Sequence, residues 1–236
     1  MNELKLSKRL ETVANFIPKD AIVADIGSDH AYLPCYAVLN GIAKSAIVGE
    51  ITEGPFQSSK KQVQKSELAD SVIVRKGDGL EVLRKGEVTC ITIAGMGGAL
   101  IHKILEEGKE KLEGVVRLIL QPNINASVIR SWLLENEWQL IAEEILEEDD
   151  KIYEILVADR GDPKIPYHET SLDAGLLFGP FLMKDQQNPF KKKWLQECEH
   201  WKTIVEKLNQ AANTPENNRK RNELIHQIEL AKEVLK

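Results

Sequence analysis

The chain has little of several features that mark other classes of protein. No run of apolar residues approaches 18, the length from which a membrane-spanning helix is inferred. The first stretch, MNELKLSKRLETVANFIP, is charged and amphipathic and lacks the apolar core of a secretory signal. Cys35, Cys90 and Cys198 are widely spaced and odd in number, which fits neither a disulfide framework nor a metal-ligand pattern. We therefore expect a cytoplasmic protein that binds neither a membrane nor a metal ion.

Charge of one sign does not dominate the chain either. Charged residues make up 29% of the 236, and the net charge of −6 provides no general attraction for nucleic acid. An RNA partner would have to contact local basic clusters, and three are present: Lys5 with Lys8 and Arg9, residues 191–193, and residues 219–221. Each cluster also fits the solvated face of an ordinary helix, so both interpretations stay open.

Short apolar runs alternate with helix-forming stretches through the first 160 residues. The apolar runs predict parallel strands at 21–25, 45–49, 72–74, 88–94 and 115–120. Two further strands, 139–146 and 153–158, flank an acidic turn as in a hairpin. This order predicts an α/β fold: a doubly wound, Rossmann-like and mostly parallel sheet with helices on both faces and an antiparallel pair at one edge.

The pattern changes after Arg160, where no further strand is predicted. Residues 191–213 and 224–234 carry apolar side chains at three- and four-residue spacing, with a polar break between them. Two such segments predict an antiparallel helical hairpin of the coiled-coil type. We therefore divide the chain into an α/β domain at 1–160 and a helical domain at 161–236.

Residues 22–34, IVADIGSDHAYLP, lack two of the three glycines of the dinucleotide fingerprint G-x-G-x-x-G. Only Gly27 is present, and Asp29 stands where a later glycine would be. A strand–turn–helix of this kind directs backbone N–H groups and a carboxylate toward a ligand beyond the sheet. The carboxylate of Asp29 would repel a pyrophosphate and attract a cation. This favours S-adenosylmethionine, with its sulfonium and ammonium groups, over NAD.

Glycines or polar residues follow all five predicted parallel strands, at the edge where open sheets bind ligands. Glu50 is suited to accept hydrogen bonds from ribose hydroxyls, and Asp78 to accept one from an adenine amino group. The glycines of residues 95–98 would allow close approach of the backbone. Acids in this order indicate a class I methyltransferase. The candidate cofactor-binding residues are Asp25, Gly27, Ser28, His30, Glu50, Asp78, Gly79, Ala94, Gly95 and Met96.

Four motifs, DIGSDHAYLP, GDGL, IAGMGG and QPN, occur in this order over residues 25–123. Together they resemble the bacterial TrmK family of tRNA adenine-N1 methyltransferases, which modify position 22. The resemblance extends through nearly the whole chain and is strongest over residues 21–125. It implies a class I methyltransferase fold, S-adenosylmethionine as cofactor, tRNA as partner and a C-terminal coiled-coil domain.

Methylation at adenine N1 limits what the protein must supply. The N1 lone pair is free at neutral pH, so the enzyme has to align N1 with the methyl carbon rather than remove a proton. Positive charge develops on the ring, and an oxygen near N6 would stabilise it. The catalytic candidates are Asp29 at the first turn, Asn123 with an amide that can pair with a base edge, and Tyr32 as a stacking surface. Since N1 is paired in duplex RNA, the target base must be unpaired or swung out.

Other interpretations of these residues stay open. His30 also fits a partly buried, hydrogen-bonded side chain, and Tyr32 a core aromatic at a helix start. An NAD(P)-dependent oxidoreductase would share the sheet, and a non-catalytic S-adenosylmethionine-binding regulator or RNA-binding module would share parts of the site. A methyltransferase acting on another RNA, a protein or a small molecule would share the cofactor half. The sequence does not determine the oligomeric state, and a monomer is our working expectation.

Overall fold

The computed structural model describes residues 2–236. Its strands are β1 (Ala21–Ile26), β2 (Ala43–Glu50), β3 (Val72–Lys76), β4 (Cys90–Gly97), β5 (Arg117–Ile124), β6 (Trp138–Glu148) and β7 (Lys151–Arg160). Its helices are α1 (Lys8–Asn15), α2 (Tyr32–Leu39), α3 (Glu53–Lys65), α4 (Gly98–Glu107), α5 (Ala126–Glu135), α6 (Leu172–Phe178), α7 (Pro180–Asp185), α8 (Asn188–Gln210) and α9 (Pro215–Val234). Short 3₁₀ segments lie at Gly79–Val82, Lys109–Leu112 and Ile165–Tyr167.

The seven strands form one sheet in the order β3-β2-β1-β4-β5-β7-β6. Strands β1 to β5 are parallel, and β7 runs antiparallel to both β5 and β6. Asp149 and Asp150, both with positive φ, form the two-residue turn between β6 and β7. Such a turn matches the twist of a hairpin. The predicted fold class is confirmed, including the antiparallel pair at one edge of the sheet.

Side chains of the parallel strands alternate between two apolar cores, one on each face of the sheet. On β4, Ile91 and Ile93 join the core under α4 and α5, whereas Cys90 joins the core under α1, α2 and α3. The three cysteines are buried and free, as predicted. Burial raises the pKa of Cys90 to about 12, so this thiol stays protonated near neutral pH.

The C-terminal helices pack on the outer part of the β6–β7 hairpin. Ile145 of β6 and Ile152 of β7 share a third apolar cluster with side chains of α6, α8 and α9, among them Phe178 and Trp194. Helices α8 and α9 pack against each other across the turn at 211–214, as the predicted hairpin requires. Side chains on both sides of Arg160 share this cluster. The domain boundary and the coiled-coil character of the pair therefore stay predictions.

A buried group of charges fastens this junction. Arg130 of α5 is fully buried and donates hydrogen bonds to Glu143 and Glu154 at 2.6 and 2.5 Å. It also donates to two backbone carbonyls of α6, and Lys193 of α8 pairs with Glu154. Gly179 has a φ of +90°, and a Cβ there would lie 2.6 Å from these charged atoms, so only glycine fits. The sequence analysis missed both this network and the short helices α6 and α7.

Two further kinds of feature, a membrane-spanning helix and a metal site, are not found within residues 2–236. No helix in this range is long and apolar enough to cross a bilayer. No group of three or more His, Cys, Asp or Glu side chains in the same range is placed to hold a metal ion.

Candidate active site

The carboxyl ends of the central strands lie side by side along one edge of the sheet. Ile26 of β1 pairs with Gly49 of β2 and with Ile93 of β4, and Ile93 pairs with Leu120 of β5. The residues that come next are Gly27, Glu50, Ala94 and Gln121. The polar groups that the sequence analysis assigned to separate strand ends therefore gather at one edge.

The first turn of this edge has an unusual backbone. Gly27 has a φ of +69°, and its N–H donates to the carbonyl oxygen of Gly49 at 2.8 Å. Asp29, His30 and Ala31 follow with φ values of +43°, +80° and +54°. Non-glycine residues rarely adopt this region, and each such residue costs about 1–3 kcal/mol. Three in succession make this turn a site where the fold holds backbone strain, which is typical of ligand-binding turns.

Under the first turn lies an acid that has no cationic partner among residues 2–236. Asp25 is 2% exposed, and its Oδ1 accepts a hydrogen bond from the hydroxyl of Thr92 at 2.6 Å. Burial raises the pKa of Asp25, and the nearby hydroxyls of Ser28 and Thr92 only partly oppose this effect. The Ser28 hydroxyl is also buried and lies near the Asp25 carboxylate, but no described residue makes a well-aligned hydrogen bond with it. The base of the turn thus keeps unused hydrogen-bonding capacity, as ligand sites do.

Glu50 is held firmly at the end of β2. Its Oε1 accepts hydrogen bonds from the N–H of Asp29 and from the hydroxyl of Ser59 in α3, both at 3.0 Å. Its Oε2 accepts none from residues 2–236. Burial raises the pKa of Glu50, and the negative charge of Asp25 adds to the shift. One oxygen of a fixed acid therefore stays available to a ligand hydroxyl.

The glycine-rich end of β4 contacts the first turn. Gly95, which follows Ala94, is a bulge in the β4–β5 ladder and has a φ of +82°. A Cβ on Gly27 would lie 2.1 Å from Cε of Met96, so a larger residue at 27 would displace the methionine. The sequence analysis ended β4 at Ala94, whereas the strand continues through the bulge to Gly97.

The motif QPN lies within β5 rather than after it. The strand was predicted to end at Leu120, before the motif. A proline cannot donate a ladder hydrogen bond, so it is usually found at a strand edge or bulge. In the structure, Pro122 pairs at the irregular part of the ladder beside Gly95. Gln121 is fully buried and Asn123 is exposed, and the side-chain amide of Asn123 donates to the Gly95 carbonyl at 2.8 Å. The exposed amide of Asn123 is therefore fixed to the β4 bulge.

The side chains at the outside of the first turn are open to solvent. Asp29 Oδ1 lies 3.6 Å from Nε2 of His30, with the two side chains 78% and 49% exposed. The His30 side chain is therefore about half covered, and both interpretations of it stay open. The His30 ring stacks on the half-buried Tyr32 ring, with centroids 5.5 Å apart. Tyr32 packs against the core as well, so its stacking role stays a prediction.

The third-strand motif joins the site through its backbone. The N–H of Gly77 donates to the carbonyl oxygen of Glu50 at 3.0 Å, which brings the GDG turn beside the second strand. Asp78 is exposed and Gly79 has a φ of +49°. Both line a cavity of about 310 Å³ with the end of α4. No side-chain hydrogen bond among residues 2–236 ties Asp78 to Glu50, so its role also stays a prediction.

The sequence analysis missed several polar residues that build this edge. Thr92 and Ser59 are fully buried and support Asp25 and Glu50. A hydroxyl within the apolar run of β4 was the available signal for Thr92. Arg9, which the sequence analysis treated only as part of a basic cluster, donates through Nη1 to Oε1 of Gln121 in the middle of the site. No local pattern could have assigned that contact.

Comparison with known proteins decides the family. A family model described as TrmK, tRNA (adenine(22)-N(1))-methyltransferase, matches residues 23–233. The chain belongs to the TrmK family. The match includes every strand-end group described above and most of the C-terminal helices. The resemblance inferred from the four motifs is therefore confirmed.

Individual TrmK-family relatives agree over almost the whole chain. The tRNA (adenine(22)-N(1))-methyltransferase of Bacillus subtilis strain 168 is 60% identical over 235 residues, covering 100% of this chain and 99% of the relative. The crystal structure of the B. subtilis m1A22 tRNA methyltransferase TrmK superposes with a TM-score of 0.96 at 59% identity, covering 99% and 100% of the two chains. A Streptococcus pneumoniae protein solved with S-adenosyl-L-methionine has a TM-score of 0.86 at 44% identity, covering 98% and 100%.

Proposed function

We propose that this chain transfers a methyl group from S-adenosylmethionine to N1 of an adenine in tRNA, at position 22. TrmK-family membership supports the reaction and the substrate. Within the chain, the observation that carries the proposal is Glu50, an acid fixed by the Asp29 amide and Ser59 with one oxygen still open. This arrangement suits a ribose hydroxyl beside a turn that would repel pyrophosphate, which argues against an NAD(P)-dependent enzyme.

S-adenosylmethionine, when bound, supplies an electrophilic methyl carbon on a positively charged sulfur. The residues present fit such a ligand. Glu50 would accept hydrogen bonds from the ribose, Ser28 and the strained turn would bind the methionine part, and Asp78 would accept one from the adenine amino group. The exposed carboxylate of Asp29 and the unpaired acids favour a cation at this edge. The rest of the proposed cofactor site comprises Asp25, Gly27, His30, Gly79, Ala94, Gly95 and Met96.

The chain's own part in the transfer is to orient the base and to stabilise charge. Asp29 would stabilise the positive charge that develops on the adenine ring as N1 is alkylated. Asn123 would pair with the base edge, and Tyr32 would stack on the base or on the cofactor. No residue has to remove a proton from N1, since its lone pair is already free. The rate would therefore depend on alignment and on charge placed for the transition state.

A cleft of about 640 Å³ lies between the end of β5 and the helical pair. Asn123 lines it on one side, and Gln196 and Gln227 of α8 and α9 line it on the other. The lining also includes two lysines, Lys193 and Lys220, and four acids, Asp150, Glu154, Glu197 and Glu223. Side-chain amides are groups with which proteins bind unpaired RNA bases by edge pairing. Because Asn123 belongs to both the cleft and the transfer site, we propose that RNA next to the target base enters this cleft.

This proposal keeps a role in RNA binding for the helical domain, 161–236. It does not assign that role to Lys192 and Lys193, although the sequence placed both in a basic cluster. Lys192 pairs with Glu147 of β6, and Lys193 pairs with Glu154. These two lysines hold α8 on the sheet edge, so neutralising the whole run 191–193 would also loosen the domain. Cutting the chain near Arg160 would uncover Ile145, Ile152 and the Arg130 network. Single substitutions are therefore the better test.

The direct experiment is mass spectrometry of nucleosides from unmodified tRNA treated with the protein and S-adenosylmethionine. We expect N1-methyladenosine with tRNA that carries adenine at position 22, and none when guanine replaces it. Absence of N1-methyladenosine with several tRNAs would overturn the proposal. Methylation that persists in the guanine-22 tRNA would overturn the position. Since the substrate is tRNA, we also propose that the protein acts in the cytoplasm. We propose separately that it acts as a monomer.

A further inference from the structure

The side-chain amide of Asn123 has a defined orientation, because the chemistry of its partners leaves one choice. The carbonyl oxygen of Gly95 can only accept, so Nδ2 of Asn123 must face it, at 2.8 Å. The other half of the amide, Oδ1, accepts from Nε2 of Gln121 at 3.3 Å. Asn123 therefore uses one of its two amide protons and one of its two oxygen lone pairs within the fold.

Gln121 is oriented by the same reasoning. Its Oε1 accepts from a guanidinium nitrogen of Arg9 and from the backbone N–H of Gly95, at 2.9 Å for the latter. Both of these groups can only donate, so the oxygen must face them and Nε2 must face Asn123. Gln121 is fully buried, and a rotated amide would turn its NH2 group toward these two donors and leave both without this acceptor. The Gly95 backbone and the Arg9 guanidinium therefore fix the two amides together, and Arg9 reinforces an orientation that Gly95 also favours.

Arg9 reaches the site because α1 is fastened to the β6–β7 hairpin. The carboxylate of Glu148 accepts from the backbone N–H groups of Lys8 and Arg9, at 2.6 and 3.4 Å. Such a carboxylate at a helix N-terminus is favoured by the free N–H groups and by the helix dipole. The guanidinium of Arg9 also lies 5.2 Å from the ring centroid of Tyr153 in β7. Two contacts to the hairpin thus hold Arg9 over Gln121.

The groups that Asn123 keeps free match one edge of one base. One Nδ2 proton and one Oδ1 lone pair have no partner among the described residues. Adenine offers the complementary pair twice, as N6–H with N7 and as N6–H with N1. The second would occupy the atom to be methylated, so only the N6/N7 edge is compatible with the reaction. Guanine has two acceptors, O6 and N7, on that edge and would oppose the oxygen of Asn123.

We propose that Asn123 selects the target adenine through its N6/N7 edge, and that Arg9 and Gln121 are positioning residues that hold its amide for this contact. The inference rests on the proposed function and adds the base edge that is read and the residues that set it. Asn123 is exposed whereas Gln121, which orients it, is fully buried, so the fixed amide is presented to the RNA. Arg9 acts on the base only through Gln121 and Asn123.

The test uses tRNA that carries 7-deazaadenosine at the target position, which removes only the N7 acceptor. In the wild type, kcat/KM should fall roughly tenfold relative to adenosine, as expected for one lost hydrogen bond. Asn123→Ala and Asn123→Asp should be slow on both RNAs and should differ less than twofold between them. The ratio of kcat/KM on the two RNAs is measured for each variant and then compared between variants. The altered reactivity of the deaza base enters every ratio equally, so it cancels in this comparison.

Variants of α1 test the positioning role. Arg9→Met should lose part of the sensitivity to N7, since the Gly95 contacts remain, while S-adenosylmethionine binds as tightly as to the wild type, and Arg9→Lys should keep more of the sensitivity than Arg9→Met. Lys8→Met, which removes a neighbouring charge from an exposed side chain, should keep the full tenfold sensitivity. Equal N7 sensitivity in the wild type and Asn123→Ala would overturn the edge assignment, and full sensitivity in Arg9→Met would overturn the positioning role. Failure of the proposed function would differ from both, since adenosine tRNA would then not be methylated at all.

Discussion

Two groups of buried acids in this molecule have opposite surroundings. Asp25 and Glu50, at the ends of β1 and β2, are 2% and 4% exposed and have hydroxyl and amide partners but no cationic one within residues 2–236. Glu143 and Glu154, on the hairpin, are equally buried, but Arg130 and Lys193 lie against them. Burial is similar in the two places, and the difference is whether the protein supplies the opposite charge.

The pKa shifts follow this difference in part. Burial raises the pKa of Asp25 and Glu50. At Glu154, burial acts in the same direction, but the charges of Lys193 and Arg130 outweigh it and lower the pKa. At Glu143, burial prevails despite Arg130, and the pKa is raised. A buried acid that is paired with a cationic side chain of the protein stabilises the fold. A buried acid without such a partner is suited to bind a positively charged ligand. The strand-end pair fits the second description.

Removing the cation from the structural group should produce the largest effect. Arg130→Met leaves two buried carboxylates without their shared partner, so we expect the free energy of unfolding to fall by about 3–5 kcal/mol. Urea denaturation followed by circular dichroism measures it. Arg75→Met is the matched control, because Arg75 makes a two-point pair with Glu87 that is about a quarter exposed and should be worth about 1 kcal/mol. Equal losses in the two variants would break the comparison.

Changing an unpaired charge at the strand ends should affect rate rather than stability. If Asp29 stabilises the charge on the base, Asp29→Asn should lower kcat roughly 10²-fold and leave the Kd for S-adenosylmethionine within twofold. Single-turnover kinetics and calorimetry separate the two quantities. Asp78→Asn should do the reverse, weakening cofactor binding while kcat at saturation is kept. A variant of Asp29 that keeps kcat but loses affinity would make Asp29 a cofactor ligand only.

The two groups should respond oppositely to a charge-removing substitution. The folded pKa of Glu50 is raised, so its carboxylate destabilises the fold above about pH 4.3, the unfolded value. Glu50→Gln should therefore keep or raise the free energy of unfolding of the ligand-free protein at pH 7. It should weaken S-adenosylmethionine binding roughly tenfold, about 1.4 kcal/mol.

Glu154 has the opposite sign. Its folded pKa is lowered, so its charge stabilises the fold above about pH 4.3, and this stability is lost as the pH falls through the folded pKa. Glu154→Gln should lower the unfolding free energy at pH 7 and leave cofactor affinity unchanged. If both substitutions shift stability in the same direction, the presence of a cationic partner is not what separates the groups.

The smallest effects concern neighbouring lysines of α8. Lys191 is exposed and has no carboxylate partner among residues 2–236, whereas Lys192 pairs with Glu147. Lys191→Met should weaken tRNA binding and reduce the slope of log affinity against log salt by about 0.7–0.9, as for one phosphate contact. Lys192→Met should leave the slope unchanged and lower the unfolding free energy by less than about 1 kcal/mol. If the two variants have identical slopes of log affinity against log salt, an ion pair within the protein does not determine which of these lysines contacts RNA.

The parts of the molecule that sequence reasoning predicted are local. A strand, its glycine turn and the acid that follows are contiguous, so their order along the chain is enough to assign Gly27, Asp29 and Glu50 to a sheet edge. Strand ends were less accurate at β4 and β5, where a bulge at Gly95 and a proline at 122 hid the continuation of the ladder.

The parts that sequence reasoning missed depend on distant partners. Arg130 contacts residues 13 and 24 positions away, and Arg9 contacts Gln121 across 112 positions. Amphipathic spacing identifies the face on which a charged side chain lies, but it does not identify a buried partner on another element. Lysines 192 and 193 therefore looked like RNA contacts, although each has a carboxylate within the fold.

The clamp of Glu148 on α1 has a consequence for how the protein is made. The first helix leaves the ribosome early, but its partners lie 112 to 140 residues further along the chain. At 5–20 residues per second, α1 waits roughly 5–30 s before the hairpin that anchors it has been synthesised. Contacts of such long sequence separation form late in folding. The nascent chain can therefore assemble the parallel strands around Gly27 and Glu50 first, and Arg9 is held over Gln121 only when translation has passed Glu148.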